Sequence, residues 1–563
     1  MAINYSKLFN RRATPQSQAI PGSGQVRNSA GGYSWEVTDW QRLDCFLILG
    51  AEGGTYYIGE RDLVKQNHDA IIRCIKENGV RVVDRIIEIS DSGRAPKNDP
   101  AIFALALVVT HGDVATKTKA FANLSKVCRI GTHLFHFAEY VNAMRGWGRG
   151  LRNAVGNWYN AQEPGELALQ AMKYQQRDGW SHGDLLRLAH PKEVSREHAA
   201  IFRWMLSGQD ELGERTVKRK VNGAERTATY AAVGELPALI QAFEQAKTVK
   251  SKGEILKLIT EHNLPREAVL TEWLNDAEVW DALLQKMPMT AMIRNLGKMT
   301  SVGLLKPMSA AAKLVVSKLS DQSALKRARV HPMAVLIAEK IYAQGRGDKG
   351  SLSWSPVQPI IDALDEAFYA TFSNVEPCGK PVLLALDVSG SMTMASIAGS
   401  CLTAREASAA MALVTAATER DYVIVGFSAA ANGHGGQWGG GEPGITPVNV
   451  SPKMRLAQVI KEIEKIPMGG TDCALPMVWA RRNKLNVSGF VTYTDNETWA
   501  GNIHPSQALR KYRDEFAADA KTVVVGMTSN GFTIADPKDR GMLDVVGFDT
   551  TAPAVIADFI RSD

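Results

Sequence analysis

The chain has 563 residues, 45% of them hydrophobic and 22% charged, with a formal net charge of +6. That length exceeds what one hydrophobic core organises, and the composition belongs to a folded protein, not to a disordered one. No run of about 18 apolar residues is present to span a bilayer, and MAINYSKLFNRR lacks the apolar stretch of a secretory signal, so a cytoplasmic protein without a membrane partner is expected. The charge is uneven: residues 1–365 hold 48 Lys and Arg against 38 Asp and Glu (+10), whereas 366–563 hold 17 against 21 (−4). A basic excess of this kind suits a polyanion, because cations that neutralise phosphates release counterions; it suits an ordinary solvated surface equally well. Cys45, Cys74, Cys128, Cys378, Cys401 and Cys473 are far apart, with no C-x-x-C pair, and are expected as reduced thiols, mostly in the core.

From about residue 60 to 372, apolar residues recur at helical spacing, as in Val64, Ile71 and Ile75, then Val82, Val83, Ile86 and Ile87. Gly79 is the expected stop between these two helices, and Ser92-Gly93 closes the second. Further helices are predicted near 100–111, 115–127, 133–145, 165–176, 182–190, 195–207, 250–262, 276–298, 309–320 and 331–343, with strand signals nearly absent. Short helices joined by brief turns stack pairwise more naturally than they form one bundle, so a solenoid is expected, although no crisp repeat is visible. ELGERTVKRKVNGAER (211–226) is charged and lacks an apolar face, which predicts an exposed loop or a β-hairpin.

After Pro377 and Gly379 the pattern changes. VLLALD (382–387) has the length of a buried strand, and strands near 422–427, 489–493, 522–526 and 543–547 alternate with helices near 401–418, 455–465, 474–484, 506–518 and 553–561. Alternation of this kind implies an α/β domain with a parallel, doubly wound sheet. The boundary is drawn at 372, giving a helical domain over 1–372 and an α/β domain over 373–563. The Gly-rich stretch from Asn432 to Gly444 is expected as a surface loop.

Ligands of open α/β sheets gather at the carboxyl ends of strands, where D-x-S-x-S places Asp387, Ser389 and Ser391. Two more strand-end loops carry Thr471 in GGTD and Asp495 in YTDNE. These are hard oxygen donors, suited to a divalent cation: magnesium first, manganese or calcium as alternatives. Too few charges are present to saturate the ion, which predicts an open position for water or an acidic group. An Asp-x-Ser-x-Ser turn that merely caps the next helix is the competing reading of the motif alone. A G-x-S-x-G elbow, an H-E-x-x-H pair and a Walker A sequence are all missing, so the chain is not expected to be an enzyme.

The order of strand, helix, GGTD and TDNE resembles the von Willebrand factor A family with its metal-ion-dependent adhesion-type site. GGTDCALPMVWA (469–480), YTDNETWAGNIHP (493–505) and GMTSNGFTIADPKDRGMLDVVGFDT (526–550) resemble the Ro autoantigen family. LGAEGGTYY (49–57), CRIGTHLF (128–135), GWGRGLRNAVGNWYN (146–160), KYQQRDGWSHGDLLRLAH (173–190) and MPMTAMIRNLGKMT (287–300) resemble the TROVE domain of that family. The resemblance covers nearly the whole chain. It implies a monomeric ring of HEAT-like helical repeats closed by the A domain, with Y-like small noncoding RNA bound outside. It also implies a positively charged hole that admits the single-stranded 3′ end of misfolded or structured RNA. Bacterial relatives imply a part in RNA quality control, with the Y RNA joining the ring to an exoribonuclease. The competing function is an adhesion or scaffold protein whose metal docks acidic protein ligands; a metal-dependent nuclease is a third.

Lys173 and Arg177, four apart on a predicted helix, are expected to share a face and straddle phosphates. Ser181 and Asp184 read as a capping box opening a helix that Pro191 ends, which puts His190 in its last turn. The resemblance implies that Lys173, Arg177 and His190 contact Y RNA. Lys126, Arg129, His133, Arg145, Arg149 and Arg152 lie in the densest basic stretch, with seven Lys and Arg against two Asp and Glu over 101–155. Trp147, Trp158, Tyr159 and Trp180 are candidates to stack on bases, although such spacing is more often core.

Overall fold

The computed structural model describes residues 13–51, 60–209, 212–221, 224–230, 232–328, 330–347, 350–372, 376–397, 400–428, 444–528, 531–548 and 552–562. Residues 432–443 of the Gly-rich stretch, residues 52–57 of LGAEGGTYY and most side chains of 215–226 lie outside these.

The first elements among the described residues are two strands that the sequence does not announce, β1 (Val26–Arg27) and β2 (Tyr33–Glu36). Helix Asp39–Leu49 follows, capped by Thr38 and Gln41. Glu60–Ser92 is two helices across a kink at Asn78 (φ −156°, ψ 81°), one residue before the expected stop at Gly79. The predicted helix 165–176 ends early, at Lys173. Beyond it the chain turns into a tight hairpin of β3 (Gln176–Arg177) and β4 (Trp180–Ser181). Asp178 and Gly179 form its two-residue turn with φ of 52° and 80°, the left-handed pair that twists a hairpin correctly. Residues 215–230 form the second hairpin, β5 (Arg215–Val221) with β6 (Ala224–Tyr230). The stretch 276–298 is two helices, Ala277–Lys286 and Met289–Ser301, because Pro288 cannot continue the first and instead precedes the second.

The helical series returns on itself: His331 Nε2 lies 3.3 Å from the carbonyl oxygen of Arg94, across 237 residues of sequence. The α/β domain sits over that closure. Arg94 donates to the Val546 carbonyl (3.1 Å), and Lys340 Nζ bonds to Glu406 (2.8 Å) and to the Cys401 carbonyl (2.8 Å).

The α/β sheet comprises β7 (Val382–Asp387), β8 (Tyr422–Phe427), β9 (Ile445–Pro447), β10 (Gly489–Thr494), β11 (Lys521–Gly526) and β13 (Met542–Val546), in the order β13-β11-β10-β7-β8-β9. Every pairing is parallel except β8 with β9, an antiparallel edge that the expectation of a parallel sheet omitted. Strand β7 is buried on both faces: Leu384 and Leu386 join the core shared with the helical series, while Leu383 and Ala385 join a separate core on the other side. The last small strand, β12 (Phe532–Thr533), pairs not with this sheet but with β2, so the N-terminal strands are structurally part of the α/β half.

Candidate nucleic-acid interface and metal centre

Strand order reverses between β7 and β10, and the crevice beyond their carboxyl ends is where Asp387 and Asp495 emerge. Asp387 is 1% exposed; its Oδ1 accepts from the Ser389 N–H (2.9 Å) and its Oδ2 from the Thr494 hydroxyl (2.7 Å). Ser389 and Ser391 stand with hydroxyls 3.1 Å apart. The Thr471 carbonyl accepts from the N–H groups of Trp499 (3.0 Å) and Ala500 (3.1 Å), which ties the GGTD loop to the loop after β10. Burial, and then the adjacent Asp495 charge, raise the Asp387 carboxyl; burial raises Asp495, against a Ser391 hydrogen bond that lowers it. Arg405, a buried cation, turns its guanidinium to the carbonyl of Val388 (2.7 Å) and makes no ion pair among the described residues. Two buried carboxyls, both raised by burial and ringed by hydroxyls, are a donor set that a hard divalent cation would relieve. Among the described residues no three His, Cys, Asp or Glu gather to hold a metal, so any ion here depends on the Ser and Thr hydroxyls.

A strap from the N-terminal segment crosses these loops. Gln16 Nε2 donates to Asp472 Oδ1 (2.7 Å), Asn28 Nδ2 to the Thr498 carbonyl (2.7 Å), and the Ala30 N–H to Glu497 Oε2 (3.1 Å). Gly32 lies so close to the Thr498 carbonyl and Trp499 that a Cβ would collide with them.

The basic candidates are dispersed over several elements. Lys126, on the short helix Leu124–Val127, is exposed; Arg129 is exposed too, but its Nη1 is engaged by the Lys126 carbonyl (2.8 Å) and Ser90 Oγ (3.0 Å). Lys173 is the last residue of its helix, with Nζ 5.3 Å from the Tyr174 ring, and Arg177 is exposed on β3. The expected shared helical face of Lys173 and Arg177 is therefore incorrect, because the helix ends at Lys173 and Arg177 lies on the first strand of the hairpin. That hairpin is pinned by His136 against Asp178 and by Trp180 Nε1 donating to Glu139 (2.7 Å). The Ser181–Asp184 capping box is present, and His190 is the exposed C-cap in left-handed conformation (φ 48°, ψ 52°). His133 leaves the basic set: burial, and then Arg129, lower it to about 4, so it is neutral at neutral pH. Trp158 and Tyr159 are core residues, and Trp147 packs on Trp180 with centroids 5.7 Å apart.

Sequence reasoning missed one feature. A cavity of about 700 Å³ lies where the start, middle and end of the helical series meet Ser400 of the α/β half. Its lining includes Lys97, Arg266, Arg294 and Lys298 and, among the described residues, no Asp or Glu. Arg294 and Lys298 are four apart on helix Met289–Ser301, a spacing that was available as a signal. Trp354, stacked on Tyr342 with centroids 6.0 Å apart, forms part of the wall.

A self-closing helical series joined to an A-type α/β domain with a hydroxyl and carboxylate crevice is the two-part architecture of TROVE and vWA domains. Residues 26–341 match the TROVE domain and residues 381–560 the Ro60 vWA domain, and the chain belongs to the Ro60/TROVE family. RNA-binding protein RO60 of Deinococcus radiodurans is 39% identical over 565 residues, spanning 100% of this chain and 99% of that protein. RNA-binding protein RO60 of Caenorhabditis elegans is 37% identical over 614 residues, spanning 98% and 92%. The crystal structure of the Deinococcus radiodurans RO (RSR) protein is similar with a TM-score of 0.67 and 38% identity, covering 93% of this chain and 99% of that one. Among the described residues, no helix is long and apolar enough to cross a membrane.

Proposed function

We propose that this chain is a noncatalytic RNA-binding protein. It holds a Y-like small noncoding RNA on its outer surface and takes the single-stranded 3′ end of misfolded or structured RNA into the large cavity, in the service of RNA quality control, decay or stress response. The observation that carries this reading is the cavity of about 700 Å³ with four cations and no carboxylate on its described walls. Like charges around a common space repel one another, and a polyanion relieves them while releasing its own counterions. The similarity to two proteins named for RNA binding supports the same reading. Outside, Lys126, Arg129, Lys173, Arg177 and His190 supply backbone contacts for a folded RNA, and an exoribonuclease joins through that RNA.

In the same reading, Asp387, Ser389, Ser391, Thr471 and Asp495 hold a divalent cation, Mg²⁺ first and Mn²⁺ or Ca²⁺ as alternatives. Bound there, such a cation would offset the two buried carboxyls and, with so few charged donors around it, would leave a position for one more oxygen ligand. A protein-docking role for that position is favoured by Met394, Met468 and Trp499, which are 74%, 58% and 43% exposed on or beside the loops that carry Ser391, Thr471 and Asp495.

The test is a binding titration of a hairpin RNA with and without a single-stranded 3′ tail, at rising salt. The tail should add affinity, and that gain should shrink steeply with salt. The double variant Arg294→Glu, Lys298→Glu should weaken binding of the tailed RNA by roughly 100-fold while leaving tail-free binding nearly intact. A tail that adds nothing, or a gain indifferent to salt, removes the reading.

A further inference from the structure

A second cavity, of about 280 Å³, opens beside Lys173. Its floor is apolar: Ile259, Leu264 and Leu283 are 3%, 3% and 5% exposed, with Met287 at 9%. Three cations, Lys173, Arg266 and Lys286, line it against the single carboxylate of Glu267. Asn263 caps helix Lys252–His262 in left-handed conformation, and its side-chain amide makes no hydrogen bond among the described residues. Arg266 and Asn295 line this cavity and the larger one alike, and they touch each other, Arg266 Nη1 donating to Asn295 Oδ1 at 3.4 Å. The pair is therefore a thin partition between the two spaces, held by one long hydrogen bond between side chains that are exposed (Arg266) and half-buried (Asn295).

The chemistry of the small cavity matches one unit of a nucleic acid. A nucleobase has apolar faces and a polar edge, and here an apolar floor meets the amide of Asn263, with Gln285 and Asn295 beside it donating to Asp281 (3.5 Å) and to the Ala291 carbonyl (2.7 Å). A nucleotide carries a phosphate on each side, and here Lys173 and Lys286 stand with Arg266 around the same space. The volume falls below the range of roughly 300–1,000 Å³ usual for drug-sized ligands, which limits the occupant to a single monomer. What lies behind the partition is the carboxylate-free cavity, so the next unit of the same polymer would meet cations again.

We propose that this cavity holds one unpaired nucleotide of a single-stranded RNA, its base on Leu264, Leu283 and Met287 and its phosphates against Lys173 and Lys286. From there the strand crosses the Arg266–Asn295 partition into the larger cavity. The proposal rests on the RNA-binding reading above and adds to it a fixed ruler: one base, at a set distance from the surface, is read apart from its neighbours.

The experiment uses the full chain and a hairpin RNA with an oligouridine 3′ tail, in which a single abasic site is moved along the tail. One position should weaken binding about tenfold and its neighbours less than about twofold, because only the pocketed base loses its contacts. Lys286→Gln and Asn263→Gly, both at exposed positions, should flatten that profile, and Ala291→Trp should do the same by filling the cavity. If Ala291→Trp fails to fold, the two surface variants decide. A flat abasic profile with the wild-type chain, while the tail still adds affinity, overturns the proposal and leaves the RNA-binding reading standing. A tail that adds no affinity overturns both.

Discussion

The two halves of the molecule treat charge in opposite ways. The helical series keeps cations at its surface and around its large cavity and buries mainly apolar side chains, with Asn67, His182 and His198 among the polar exceptions and Glu339 and Asp365 raised by burial where they meet the charge of Arg455. The α/β domain does the reverse at its strand ends, where Asp387, Asp472, Asp495 and Glu497 are all shifted upward by burial. Exposed cations interact at long range and are screened by salt, which suits a large polyanion that arrives from solution. Buried carboxyls cost desolvation and are worth keeping only where a compact partner such as a divalent cation, or a hydrogen-bonding shell, meets them at contact distance.

This contrast can be broken at its strongest point by Asp387→Asn. In the wild type, divalent cation at about 100 times its dissociation constant should stabilise the fold by roughly 2.7 kcal/mol, and the variant should lose that gain in thermal unfolding. RNA affinity should stay within about twofold. Equal loss of metal and RNA binding would mean that the halves are coupled across the closure at Arg94 and Lys340.

A weaker effect sharpens the cost of burial. Asp544 on β13 is raised from 3.8 to about 7 by desolvation, against a Thr533 hydrogen bond that lowers it. The native state thus keeps a proton that the unfolded chain releases, and this contribution to stability is lost as pH rises from 3.8 to about 7. Asp544→Asn should flatten that part of the stability profile, as followed by denaturant midpoints. An unchanged slope would show that Asp544 is solvated.

The smallest change is His190→Ser, which removes an exposed ring from a helix C-cap. Binding of a small structured RNA should weaken about two- to fivefold, with the melting temperature nearly unmoved because surface substitutions cost little. A soluble variant with unaltered RNA affinity would take His190 out of the interface.

Much of this architecture is legible in the sequence, for physical reasons. VLLALD, all six residues of it buried, is too apolar and too short for anything but a central strand. The crevice donors follow from that strand's end. The Ser181–Asp184 cap reads correctly because capping is local chemistry. Local chemistry also explains the miss: Asp178-Gly179 is a two-residue hairpin signal whose strands begin at Gln176, so a helix carried to residue 176 misplaces Arg177. The cavity was out of reach for another reason. Lys97, Arg266 and Arg294 come together only because the helical series bends round, and no periodicity in one segment encodes that curvature.

The pairing of β2 with β12 joins Trp35 to Thr533 and Glu36 to Phe532, nearly five hundred positions apart. During synthesis the earlier strand leaves the ribosome long before its neighbour exists, so its edge stays open while the whole helical series is being made. The seam that steadies the Thr471 and Asp495 loops through Gln16, Asn28 and Ala30 is therefore among the last to close. A ribosome that stalls before residue 532 would release a chain with folded helices but an unpaired strand edge, the kind of surface on which neighbouring chains aggregate.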